Sequence, residues 1–94
     1  MKFQEKMKKL CACGQAIDWI DDKSFITAWK ECPYGTWLYW LVDELNCKGL
    51  LSDDLFNQTE AALCQKGTNL SPADRIRNVI PSNSVQRAVY KLKF

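Results

Sequence analysis

Apolar residues recur every three or four positions through nearly all of this chain, and strict alternation nowhere persists long enough to build a half-buried strand. The pattern predicts an all-α fold of five or six short helices. Cys13, Ala16, Ile17 and Ile20 mark one helix, which Asp21-Asp22-Lys23 terminates. Ser24 is placed to N-cap the next, its hydroxyl accepting from a first-turn amide, and Phe25, Ala28, Trp29 and Cys32 carry its buried stripe. Pro33 disfavours helical geometry at Cys32, and Gly35 frees the backbone for the joint Pro33-Tyr34-Gly35. Thr36 is expected to cap a central helix whose Trp37, Leu38, Trp40, Leu41, Val42 and Leu45 cover more than one face. Gly49 suits the left-handed conformation that closes such a helix.

Farther on, Ser52-Asp53-Asp54 opens a helix with two carboxylates at the positive end of its dipole, and Leu55, Phe56, Thr59, Ala62 and Leu63 form its inner side as far as Gly67. Ser71-Pro72-Ala73-Asp74 is the clearest boundary, with a capping serine, proline at the first helical position and an acidic capping partner. The short helix it starts carries Ile76, Val79 and Ile80 and stops at Pro81. Ser82 or Ser84 is expected to cap the last helix, with Val85, Ala88, Val89 and Leu92 inward. Residues 3–10 read equally as a basic helix or as an extended lead-in.

With 94 residues the chain has room for a single helical domain, 1–94, of a size that buries roughly 60–65% of its unfolded surface. The longest apolar run, Trp37 to Val42, is broken by Asp43-Glu44 and falls well short of the roughly 20 residues that span a bilayer. The basic start has no apolar stretch or cleavage site after it, so a cytoplasmic protein with its native N-terminus is expected. Five cysteines, Cys11, Cys13, Cys32, Cys47 and Cys64, are an odd number, and they read as reduced thiols filling gaps between helices. Cys11-Ala12-Cys13 has no histidine and no second close pair to complete a zinc site, so neither metal nor cofactor is expected.

Chemistry is sparsely represented. The chain has no histidine, so proton transfer near neutrality would need a tuned carboxylate, lysine or cysteine. The adjacent acidic pairs point to different helix faces, and no phosphate loop or nucleophile elbow occurs. A non-enzymatic protein is expected. Charge is uneven: residues 1–10 carry net +3, residues 11–70 net −5 and residues 71–94 net +4. Arg75, Arg77, Arg87, Lys91 and Lys93, joined by the N-terminal lysines if the two ends meet, are the candidate contacts to RNA or DNA phosphates. Tyr34, Tyr39 and Trp40 cannot all point inward from one turn and one helix, which makes them candidate anchors for a protein partner.

The succession Ala12-Cys13…Ala16…Trp19, Ala28-Trp29…Cys32 and Gly35…Trp37-Leu38…Trp40-Leu41 resembles small helical proteins encoded by phages and mobile elements. Ala73-Asp74-Arg75-Ile76-Arg77…Ile80-Pro81 is similar to a second stretch of these proteins, so the resemblance spans about half the chain. Pro33-Tyr34-Gly35-Thr36 stands where the family pattern has Arg-Gly-Asp before the tryptophan. The resemblance implies a helical phage-type protein with an anti-defence role. On that basis the expected function is to bind and inhibit a bacterial host protein, such as a CRISPR effector or another nucleoprotein defence complex. Nucleic-acid binding through the basic ends and self-association into a homo-oligomer are the alternatives.

Overall fold

The computed structural model describes residues 2–93. Its elements are α1 (Phe3–Lys9), α2 (Gly14–Ile20), α3 (Phe25–Glu31), α4 (Gly35–Cys47), α5 (Asp53–Cys64), α6 (Pro72–Val79) and α7 (Ser82–Lys91), with no strand among the described residues. The helical class follows the periodicity, but the described residues form seven helices where five or six are expected. The extra one is α1. Glu5 accepts from the Lys2 backbone amide at 3.3 Å, and Met7 and Leu10 are buried, so this basic segment gains both a cap and an apolar anchor.

Serine hydroxyls cap three helices as their positions predict. Ser24 accepts from Thr27 N–H, Ser52 from Leu55 N–H and Ser71 from Asp74 N–H. Two other boundaries differ from expectation. Thr36 lies inside α4, because the chain turns helical at Gly35 and leaves Tyr34 at the capping position without a side-chain cap. Pro81, not Ser82 or Ser84, occupies the capping position of α7. Gly49 has φ +75° at the end of α4, where the Leu50 amide reaches back to the Leu45 carbonyl at 2.9 Å.

Helices α4, α5 and α6 pack most closely, and α7 closes against α3 and α4. Val42, Leu45, Ile76, Ile80 and Val85 are almost completely buried at this centre. Thr59 is buried among them with its hydroxyl donating to the Leu55 carbonyl at 2.8 Å. The α1–α2 pair sits to one side, joined to the rest through large side chains. Phe3 meets Phe25 edge-on at 5.5 Å, and Trp19 meets Trp37 at 6.1 Å.

Basic side chains close the carbonyl ends of four helices. Lys23 donates to Trp19 O of α2 at 2.8 Å, and Lys6 to Val89 O of α7 at 2.9 Å. Arg77 bonds Trp29 O and Cys32 O at the end of α3, at 2.9 and 2.8 Å. Arg75 bonds Ala62 O and Leu63 O of α5 and also Leu70 O, at 2.7, 3.0 and 2.8 Å. Each places a positive charge at the negative end of a helix dipole and donates to carbonyls there, of which Ala62 O and Val89 O also accept from the Gln65 and Leu92 amides. No described helix is long and apolar enough to cross a membrane.

Candidate functional site

The gap between the α1–α2 pair and the α3–α4 pair is a half-open cleft of about 430 Å³. Its floor is the buried core side of α3 and α4: Phe25, Ala28, Trp29, Leu38 and Leu41. Its walls are Phe3 and Met7 of α1, Ala16, Trp19 and Ile20 of α2, and Trp37 and Trp40 of α4. Trp37 and Trp40 share a face because three residues bring a helix almost once round. Both remain half-buried, as does Trp19, whereas Trp29 is only 3% exposed. The α1–α2 turn adds Cys11, Ala12 and Cys13 at the rim, with Cys11 held at φ +63°.

Among the described residues no charged side chain lines this cleft; its polar groups are the three thiols, the Thr36 hydroxyl and the indole N–H groups of its tryptophans. Two of those thiols, Cys11 and Cys13, are exposed. Burial pushes the third, Cys32, up from its ordinary pKa, opposed only in part by the nearby Arg77 cation, so this thiol stays protonated at neutrality. All five cysteines are free, and no group of three or more potential metal ligands occurs among the described residues.

The three candidate anchors are distributed over two surfaces. Tyr34 is 52% exposed and rests on Trp37 with ring centres 4.4 Å apart, extending the aromatic wall outward. Trp40 lines the cleft itself. Tyr39 lies on the far side of α4, against Phe56 of α5 at 5.7 Å, where burial and then the carboxylates of Glu60 and Asp43 raise its phenol pKa. Of the three, Trp40 alone lines the cleft, Tyr34 adjoins it through Trp37, and Tyr39 is left out.

The candidate phosphate contacts also divide. Arg75 and Arg77 spend their guanidinium donors on the helix carbonyls and, for Arg77, on Asp74 at 2.7 Å. Arg87, Lys91 and Lys93 are exposed. Trp19, which the sequence marks only within the resemblance, and Tyr90, which it does not mark, also have parts in these surfaces. Trp19 supplies the opposite wall of the cleft, which its position on a short amphipathic helix does not announce. Tyr90, 70% exposed, stands among the C-terminal cations and is foreshadowed only by lying outside the apolar stripe of α7.

Of the two stretches in which the sequence is read as resembling phage proteins, the first surrounds the cleft and the second, Ala73 to Pro81, does not line it. Ala12, Cys13, Ala16, Trp19, Ala28, Trp29, Cys32, Trp37, Leu38, Trp40 and Leu41 all line it, and Gly35 begins the helix that supplies one wall. Comparison of the chain with protein-family models, with curated proteins and with solved structures gives no match.

Proposed function

We propose that the chain is a non-catalytic phage- or mobile-element-type protein that binds and inhibits a bacterial host protein, taking an apolar element of that partner into the aromatic cleft. The observation that carries this reading is the cleft itself: aromatic walls on two opposed helix pairs, an opening to solvent, and no charged group inside. The Phe3–Phe25 and Trp19–Trp37 contacts bridge the helix pairs, and the space of about 430 Å³ left between them is the kind of apolar pocket that anchors a ligand or an interface hot spot. The lining also lacks an acid–base pair, which favours binding over turnover. The family resemblance supports the phage-type assignment and the choice of a defence nuclease, such as a CRISPR effector, as the target.

Tyr34 and Trp40 are the anchors in this reading, one on the rim and one within. Alanine at either position should abolish inhibition of the target while circular dichroism shows a folded protein. Full inhibition by both folded variants would remove the cleft from the mechanism.

A further inference from the structure

We propose that the end of α7, joined to α1, is a second binding surface, one that takes single-stranded nucleic acid through Tyr90 as a stacking platform. This rests on observations separate from the cleft. The Lys6 ammonium donates to Val89 O at 2.9 Å and lies 5.6 Å from the centre of the Tyr90 ring, so the two basic ends of the chain meet at this tyrosine. The ring is 70% exposed, more than any other exposed large hydrophobic side chain among the described residues. Its hydroxyl is near the Gln86 amide at 3.3 Å, which steadies the ring on the helix surface.

The charged side chains of α7 have one sign. Arg87 is one helical turn before Tyr90 on the same face, and Lys91 and Lys93 follow it, all exposed and without a carboxylate partner among the described residues. Residues 75–94 contain no acidic residue, and α1 contains only Glu5. An exposed aromatic ring amid unpaired cations matches the chemistry of a single strand, whose bases stack and whose phosphates need counter-charges. Duplex offers phosphates but keeps its bases stacked on each other, so it makes no use of Tyr90. Arg75 and Arg77 bond carbonyls at the ends of α5 and α3, whereas the carbonyl that Lys6 bonds, Val89 O, is next to Tyr90, so Lys6 stands beside the ring with Arg87, Lys91 and Lys93.

The test is fluorescence-anisotropy titration of the full chain with labelled 12-nucleotide RNA and DNA single strands, the corresponding duplexes, and vesicles containing phosphatidylserine. Single strands of at least one sugar type should bind more tightly than duplex, with affinity falling steeply between about 50 and 200 mM salt. Tyr90→Ala should weaken that binding about 5- to 150-fold, and Tyr90→Phe should preserve it because the ring still stacks. Tyr90 is exposed, so both variants should remain folded by circular dichroism. Equal binding of duplex and single strand, wild-type affinity in Tyr90→Ala, or binding confined to the anionic vesicles would each overturn the proposal.

Discussion

Gly35 and Pro72 touch so closely that a β-carbon on Gly35 would lie 2.6 Å from the Pro72 β-carbon and 2.9 Å from its carbonyl carbon. The first turns of α4 and α6 thus meet backbone to backbone, and Gly35 is needed for this close approach. Gly35→Ala brings two opposed effects. Helix propensity gains at most about 1 kcal/mol, whereas overpacking against a proline and backbone atoms that cannot rotate away costs about 1–3 kcal/mol. The clash should prevail, and urea denaturation should show a lower midpoint for Gly35→Ala.

Arg77 ties α6 to the end of α3 through Trp29 O and Cys32 O. Those carbonyls sit just before the Pro33-Tyr34 joint, so this tie also fixes the rim of the cleft. Arg77→Ala should destabilise the fold by about 1.5–3 kcal/mol, the range for hydrogen bonds from a charged donor. Lysine should recover only part of the loss, because a compact ammonium cannot reproduce a fork that holds two carbonyls and Asp74 together. Chemical denaturation of the two variants beside wild type measures both statements.

Asp74 has its carboxyl pKa lowered below the ordinary 3.8, first by the hydrogen bond from Arg77 and then by that from Ser71. A lowered folded-state value means that the unfolded chain binds the proton more readily. The contribution to stability is therefore complete above the ordinary value and is lost as pH falls through the folded one. Asp74→Asn should differ from wild type by a constant amount from about pH 5 upward, and the two should converge on further acidification. Denaturation midpoints from pH 7 to pH 2.5 provide the check.

Cys11, Cys13, Cys47 and Cys64 are exposed, and Cys32 is 3% exposed with a raised pKa. A thiol reagent at pH 8 should consume Cys11, Cys13 and Cys64 promptly, Cys47 more slowly because desolvation and the Asp43 carboxylate raise its pKa, and Cys32 only when urea unfolds the chain. Mass mapping of the labelled peptides should place the slowest thiol at Cys32.

Much of the architecture is legible in short-range chemistry. Ser24, Ser52 and Ser71 each act three residues away, and Gly49 acts within its own turn, so local sequence contains both partners of the interaction. Thr36 shows where this fails: it has the chemistry of a cap, but the helix starts at Gly35, packed against Pro72, two residues before the start that a Thr36 cap would give. The basic residues are misleading for a related reason. Arg75 reaches carbonyls 12 and 13 residues away, Arg77 reaches 45 and 48, and Lys6 reaches 83, distances over which helical periodicity is silent. Cations that resemble a solvated face are in part the caps of other helices.

The candidate site was readable in composition but not in arrangement. Surplus aromatics around Pro33 mark the segment that supplies one wall of the cleft, and the expected resemblance contains most of the lining residues. Trp37 and Trp40 fall on one face by helical spacing, and Tyr39 by the same spacing falls on the other. The opposite wall, Trp19 with Phe3, depends on where the α1–α2 pair comes to rest, and no local pattern encodes that.

Cys11 and Cys13 at the cleft rim, with Cys47 and Cys64 at the ends of α4 and α5, allow the central claim to be measured within a single molecule. Alkylation rates of the four thiols should be followed by mass spectrometry in buffer and in nuclease-treated lysate of the bacterial host. Occupation of the cleft by a protein partner predicts strong slowing at Cys11 and Cys13 with unchanged rates at Cys47 and Cys64, and no such slowing in a folded Trp40→Ala variant. Unchanged rates at all four, or protection at Cys47 and Cys64 instead, would contradict the cleft as the site of partner binding.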